Sequence, residues 1–157
     1  MSKTKQNPLA MTCILAAIDH SAPALRAAEL AADIAIRFAS ELVLMTVSRP
    51  IDHRDPALLG YLREEHIHDP IEVVIADAAR AELRPLGDRL AERLRRSVAC
   101  EVVTGNPAEM IVAFATRSAI DLIVIGHVGH GRLGTLVLGS VARRVIDTAS
   151  CPVLVVH

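Results

Sequence analysis

A glycine-rich stretch at residues 125–140 carries the residue types best suited to hold an anion. Glycines stand at positions 126, 129 and 139, and Ser140 follows the last of them. Glycine lets the backbone approach a ligand closely. The apolar run at 121–125 predicts a buried strand, and the segment after Ser140 has helical spacing. Because the first N–H groups of a helix point back into the preceding loop, this order predicts an anion site, usually for phosphate.

Ser140 adds a hydroxyl where the predicted helix starts. Such a hydroxyl caps a helix, binds a phosphate oxygen, or does both. The spacing is not that of a P-loop, because this stretch has no lysine. The dinucleotide fingerprint belongs on the first strand of its unit, and nothing like it stands near Asp19. The pattern present is Gly126-x2-Gly129-x9-Gly139-Ser140.

The rest of the chain alternates apolar runs with helical patterns. Strands are predicted at 12–18, 41–47, 99–104, 121–125 and 153–156, and helices at 21–38, 71–96, 107–118 and after 140. This alternation predicts a doubly wound α/β layer with a parallel sheet. Asp19, Val47 and Gly126 each follow or end a predicted strand, so they should meet in one crevice at the carboxyl edge of the sheet.

Four details qualify this pattern. Residues 1–10 are predicted to be a flexible tail, and residues 11–157 a single domain. Residues 48–70 lose periodicity, which predicts a functional or mobile loop with a short helix near 57–65. Pro85 lies inside the helical pattern of 71–96, where it should kink the helix or divide it in two. The arginines of that helix alternate with acids, which favours a solvated face with ion pairs.

The glycine spacing resembles the nucleotide-binding signature of the universal stress protein family, in its ATP-binding branch. Residues 136–156 are similar to the C-terminal helix and last strand of that family throughout. The resemblance implies a Rossmann-like, five-stranded parallel sheet in the order 3-2-1-4-5. It also implies a homodimer formed through the strand at 152–156, and that strand is apolar on both faces, as an edge that pairs with another chain would be.

The resemblance further implies which residues bind ATP, together with Mg²⁺. Asp19 would contact the nucleoside, and Ala17 and Val47 would frame the adenine, Val47 through its backbone. The residues that would line the ribose and phosphates are Gly126, Gly129, His130, Gly139, Ser140 and Val141. A cap on the first helix is the alternative role for Asp19.

This sequence departs from the family pattern at two places. Relatives often have histidine where Val128 stands, whereas here the histidines are His127 and His130. Many relatives also have histidine where this chain has Thr46. The glycines are unaffected, so these departures change the expected ribose and phosphate contacts rather than the expected site.

Composition excludes several other classes of function. The net charge is −1 and aromatic residues make up 2% of 157 residues, which favours neither nucleic acid nor an anionic membrane as partner. No apolar run reaches the about 18–20 residues of a membrane span. The cysteines at 13, 100 and 151 form no C-x-x-C pair. We therefore expect a cytoplasmic protein with buried, structural thiols.

No convincing catalytic or metal-binding set emerges. Asp19 is the only acid predicted at the crevice, whereas phosphoryl transfer needs a metal-holding carboxylate and a positioned base. His53, His66, His68 and Asp69 fit no metal-ligand spacing. The expected function is a homodimeric, ATP-binding stress-response factor. Two alternatives stay open: a dimeric interaction module with an empty crevice that works through residues 48–70, and a slow ATP hydrolase.

Overall fold

Five parallel strands form the central sheet of the computed structural model, which describes residues 11–50, 56, 70–128 and 138–157. The strands are β1 (Cys13–Ala17), β2 (Glu41–Ser48), β3 (Ala99–Thr104), β4 (Leu122–Gly126) and β5 (Val153–Val156). Their order in the sheet is β3-β2-β1-β4-β5. The predicted doubly wound α/β fold and strand order are therefore confirmed. The predicted tail at 1–10, and the part of the predicted loop that holds the four metal-ligand candidates, lie outside the described residues.

The three inner strands form the core because they are apolar on both faces. Ile14, Leu15 and Ala16 of β1 are fully buried, as are Ile123 and Val124 of β4. A strand covered on both faces reads as a continuous apolar run rather than an alternating one. This is why strand positions in this chain follow directly from its apolar runs.

Four helices within the described residues cover the sheet: α1 (Ala22–Phe38), α2 (Ile71–Leu94), α3 (Pro107–Arg117) and α4 (Ser140–Thr148). Residues of α1 and α2 share one buried apolar cluster, and residues of α3 and α4 share the other. The α1–α2 contact also carries exposed ion pairs, in which Glu29 binds Arg89 and Arg93 at 2.7 Å each. The prediction of a solvated, ion-paired helix face is confirmed.

Local sequence explains where two of the helices begin. The Ser21 side chain accepts a hydrogen bond from the Ala24 N–H and caps α1. Asn106 caps α3 in the same way, through the N–H groups of Ala108 and Glu109. Each cap is followed by a proline in the first helical turn. The N–H groups of this turn have no carbonyl partner within the helix, so a proline, which has no N–H, costs no hydrogen bond there.

Three expectations need correction. Of the two outcomes expected of Pro85, division of the helix is wrong, since α2 runs without interruption from Ile71 to Leu94. Ser140 does not cap the last helix, because the N-cap is Gly139. The three cysteines are free and only half-buried. Burial is the largest cause that raises the pKa of each thiol, so the thiols are held protonated rather than as reactive thiolates.

Candidate functional site

The carboxyl ends of the central strands lie level with one another. In the sheet register Ala17 is paired with both Met45 of β2 and Ile125 of β4. Val47 lies two residues after Met45 in β2, and Gly126 lies one residue after Ile125 in β4. Strand order reverses between β1 and β4, which is where ligands bind in open α/β sheets. The structure thus brings the predicted residues of three strand ends to one edge.

Three of the predicted residues share a face of the sheet. Ala17, Val47 and Val141 belong to the apolar cluster under α3 and α4, with Ala17 7% exposed. Gly126 contacts the opposite helix layer, at the start of α1. The apolar side chains from β1, β2 and α4 therefore lie on one side of the sheet at the carboxyl ends of its strands. Such a surface suits the flat, largely apolar face of a nucleobase.

Asp19 is held in a defined turn between β1 and α1. Its Oδ1 accepts hydrogen bonds from the Ser21 N–H at 3.1 Å and from the Ser21 hydroxyl at 2.6 Å. Ser21 is buried and its hydroxyl oxygen lies 3.5 Å from the Val128 carbonyl, beside the glycine-rich stretch. Because Ser21 caps α1, Asp19 orients the cap rather than acting as one. The exposed Asp19 side chain is thereby fixed at the carboxyl end of β1.

Thr46 has a structural role at the same edge. Its hydroxyl donates to the Ile18 carbonyl at 3.1 Å, and the Ile18 N–H donates to the Met45 carbonyl at 2.8 Å. These two bonds extend the β1–β2 contact past the end of β1. Threonine at this position therefore supports the backbone on which Val47 and Asp19 stand.

Gly126 is required by close packing. A Cβ at this position would lie 2.8 Å from the Ala24 nitrogen and 2.9 Å from the Pro23 carbonyl carbon. Both are backbone atoms of the first turn of α1, so neither can rotate away. The glycine lets β4 and α1 approach each other directly beneath the Asp19 turn.

Backbone hydrogen bonds fix both ends of the glycine-rich loop. The His127 N–H donates to the Val156 carbonyl at 2.8 Å, and the Gly139 N–H donates to the His127 carbonyl at 2.7 Å. The His127 ring packs against the His157 ring, with centroids 4.4 Å apart, so it lies toward β5. Gly129 and His130 lie outside the described residues. The start of α4 is thus tied to the end of β4.

The start of α4 differs from the starts of α1 and α3. Its N-cap is Gly139, with φ −62° and ψ 151°, and no side chain caps the helix. Ser140 is the first residue of the helix itself and is exposed. It cannot be the cap because a capping residue needs extended backbone angles, which Gly139 has instead. By helix geometry the first N–H groups of α4 lack intrahelical carbonyl partners.

Sequence reasoning missed the linking role of Ser21 and the contact between His127 and β5. The spacing Asp19-x-Ser21 is a local signal for the first, since a serine two residues after an aspartate can donate to it. No local signal exists for the second, because β5 is distant in sequence. Where the structure describes the chain, no three metal-binding side chains cluster, and no helix is long and apolar enough to span a membrane.

Comparison with known proteins gives a consistent family. A model of the universal stress protein family matches residues 11–157. The universal stress protein MJ0531 of Methanocaldococcus jannaschii is 35% identical over 138 residues, which cover 88% of this chain and 77% of that protein.

Solved structures show the same fold. Universal stress protein UspA from Lactobacillus plantarum superposes with a TM-score of 0.77 and 28% identity, covering 94% of this chain and 98% of that one. Two more distant structures cover 94% of this chain and 98% of theirs. One is a universal stress protein in complex with cAMP, with a TM-score of 0.63 and 22% identity. The other is the protein from Archaeoglobus fulgidus in complex with dAMP, with a TM-score of 0.61 and 24% identity.

Proposed function

Since this chain belongs to the universal stress protein family, we propose that it binds ATP in the crevice between β1 and β4. In this proposal it acts as a homodimeric, nucleotide-dependent stress-response factor. The observation that carries the proposal is the meeting of the ends of β1, β2 and β4 at one edge of the sheet with the start of α4, which the Gly139–His127 hydrogen bond joins to the end of β4. The complexes of two proteins of this fold with cAMP and dAMP are why an adenine nucleotide is the ligand class to test.

Each part of ATP has a proposed partner. Ala17 and the Val47 backbone frame the adenine, and the Asp19 carboxylate accepts a hydrogen bond from a ribose hydroxyl. The first N–H groups of α4, at Ser140 and Val141, bind phosphate, because they carry the positive end of the helix dipole. The remaining proposed contacts to ribose and phosphate come from Gly126, Gly129, His130 and Gly139. Mg²⁺ would accompany the nucleotide through its phosphates.

The test is calorimetric titration of the purified protein with ATP and Mg²⁺. We expect micromolar affinity, which corresponds to about 8 kcal/mol. The double variant Gly139→Val, Ser140→Ala should stay folded and lose binding, because valine places branched bulk where phosphate would approach the helix. Ser97→Ala is the matched control. Ser97 is exposed and precedes β3, at the opposite edge of the sheet. The Ser97→Ala variant should therefore bind ATP as tightly as the unmodified protein.

Two results would redirect the assignment. If the unmodified protein releases no heat and carries no nucleotide after purification, the crevice is not an ATP site. The interaction-module alternative, acting through residues 48–70, would then be favoured. If ATP binds and is also turned over at a rate that the double variant abolishes, the protein is a hydrolase. Binding without turnover supports ATP as a regulatory ligand.

A further inference from the structure

One flank of α4 faces the free edge of the sheet. α4 joins β4 to β5 and contacts β5, whereas α3 lies on the other side of α4 and contacts β2. Ala142 and Val145 point at the sheet, since they are 2% and 0% exposed. A right-handed helix with about 3.6 residues per turn then places Arg143 and Ile146 on the flank that faces away from α3, beside β5.

This flank is uncovered within the described part of the chain. An open depression of about 390 Å³ lies over it and is lined by Leu138, Arg143, Ile146 and Asp147. Ile146 is exposed, and every residue of the neighbouring strand β5 is only half-buried. The flank and the strand thus present apolar surface side by side, with Arg143 and Asp147 at its rim.

The two charges of the flank have no partner and oppose the helix dipole. Neither the Arg143 nor the Asp147 side chain forms an ion pair or hydrogen bond within the described residues. Arg143 closes the first turn of α4, where the dipole favours acids, and Asp147 stands in the last turn, where it favours bases. A base four residues before an acid is also the less favourable order for a pair within one helix. Both charges are therefore better satisfied by a group outside α4.

A second copy of α4 supplies groups of the required charge. In an antiparallel pair of these helices with a two-fold axis level with Val145, Arg143 of each copy is level with Asp147 of the other. Each arginine then lies near the C-terminal end of the facing helix, where the dipole favours it. The Ile146 side chains fall between the two ion pairs and cover each other's apolar surface.

The spacing of the sheet allows this contact when β5 pairs with its copy. The Pro152 and Val156 carbonyls accept hydrogen bonds from the β4 side, so the backbone groups of Val153 and Val155 face outward. Pairing through these groups gives strands in the order β4-β5-β5-β4, about 4.8 Å apart. Since α4 packs over β4 and β5, two strand spacings separate the two α4 axes. This distance of about 10 Å is that of helices in direct contact.

We propose that α4 packs against α4 of a second copy through two Arg143–Asp147 ion pairs that flank Ile146. The inference rests on the homodimer of the proposed function and adds a helix contact to its β5 interface. An axis level with Arg143 would instead bring two arginines together. The ion pairs therefore also fix the register in which the two copies meet.

Charge reversal tests the contact with two variants that should pair with each other. Arg143→Asp leaves two acids on the flank, and Asp147→Arg leaves two arginines. Each variant alone should dimerise about tenfold more weakly than the unmodified, nucleotide-free protein, or weaker still, because like charges then meet. Sedimentation over a range of concentrations measures this change. An equal mixture should form mainly the mixed dimer, which restores opposite charges and which native mass spectrometry identifies by its mass.

Arg84→Asp and Asp88→Arg form the matched control pair. Arg84 and Asp88 have the same order and spacing and are also exposed. They lie on α2, which contacts β3 at the opposite edge of the sheet. Their mixture has the same overall charges, so a general attraction between acidic and basic variants would appear there too. We expect no preference for the mixed dimer in this control.

The outcomes separate the helix contact from the dimer itself. A preference for the mixed dimer at α4, absent from the control, supports the contact and shows that both variants fold. If the unmodified protein is a dimer and both α4 reversals dimerise as tightly, the helix contact is wrong while the β5 dimer stands. If the unmodified protein is monomeric at every concentration, the proposed homodimer fails and the inference fails with it.

Discussion

Replacing Gly126 by alanine tests how closely β4 approaches α1 beneath the site. The new Cβ would lie 2.8 Å from the Ala24 nitrogen, 2.9 Å from the Pro23 carbonyl carbon and 3.0 Å from the Pro23 Cβ. Carbon atoms in contact normally stand at about 3.5–4.0 Å. Because two of the three atoms belong to the backbone, the first turn of α1 must move as a whole.

The expected loss of stability follows from the number and kind of these contacts. Overpacking typically costs about 1–3 kcal/mol. Backbone atoms cannot relax by changing rotamer, so Gly126→Ala should lie in the upper part of that range, at about 2–3 kcal/mol. For a chain of this length, each kcal/mol lowers the melting temperature by about 2–4 °C. Thermal unfolding should therefore show a decrease of about 4–12 °C.

Gly87→Ala is the matched control for effects on the site. A Cβ at Gly87 would lie 2.6 Å from the Cys100 Sγ, so this variant is also strained. However, Cys100 lies in β3, two strands away from β1. We expect both variants to lose stability, but only Gly126→Ala to lose ATP affinity, because the first turn of α1 begins directly after the Asp19 turn.

Each measurement can refute a separate part of this reasoning. Unchanged melting of Gly126→Ala would mean that β4 and α1 are not in the close contact described. An equal loss of ATP affinity in Gly126→Ala and Gly87→Ala would mean that α1 does not position Asp19.

Two further predictions concern the other edges of the sheet. The Thr12 hydroxyl and the N–H groups of Thr12 and Cys13 donate to the Asp121 carboxylate, and the Thr12 hydroxyl bond is the largest cause that lowers its pKa. Asp121→Asn should lower the free energy of unfolding, measured in urea at neutral pH, by about 1 kcal/mol. Because folding lowers the pKa of Asp121, the difference in stability between the two proteins should disappear as pH falls below about 4. A difference that persists in acid would contradict a stabilising role for the Asp121 carboxylate. The second prediction concerns the proposed dimer. The Val156 carbonyl accepts a hydrogen bond from the His127 N–H at the end of β4. Since successive residues of a parallel strand direct their backbone groups to opposite sides, the Val155 N–H points away from β4, toward the free edge of the sheet. Val155→Pro removes this N–H and should halve the molar mass measured by light scattering, while the chain stays folded. An unmodified protein that is already monomeric would refute the proposed dimer.

The order of strands and helices could be predicted because this chain buries its strands on both faces. Each buried strand appears as an apolar run, and β2 begins at Glu41 and β5 ends at Val156, within one residue of the runs that predicted them. The caps of α1 and α3 were also local signals. The strand order came from family resemblance, since no local pattern states which strands are neighbours.

Errors arose where a local pattern has more than one three-dimensional outcome. Ile146 shares helical spacing with Val141 and Val145, but spacing does not state whether another element covers a residue, and Ile146 is 44% exposed whereas Val145 is fully buried. Ser140 is a residue type that favours helix caps, but the extended backbone falls one residue earlier, at Gly139. The approach of Glu82 to His20 joins residues far apart in sequence, so neither residue type nor spacing could predict it.

The glycines of the motif do not carry equal evidence for a ligand. Gly126 is required by its contact with α1, so a relative with an empty crevice would need it as much as one that binds ATP. Gly139 has φ −62° and ψ 151°, angles open to any residue, so its backbone conformation does not require glycine. It stands at a helix N-cap, where serine, aspartate or asparagine usually stabilise the helix better. A glycine there leaves the first N–H groups of α4 without a capping side chain, which suits an external anion. For this reason the double variant that tests the phosphate site changes Gly139 and not Gly126.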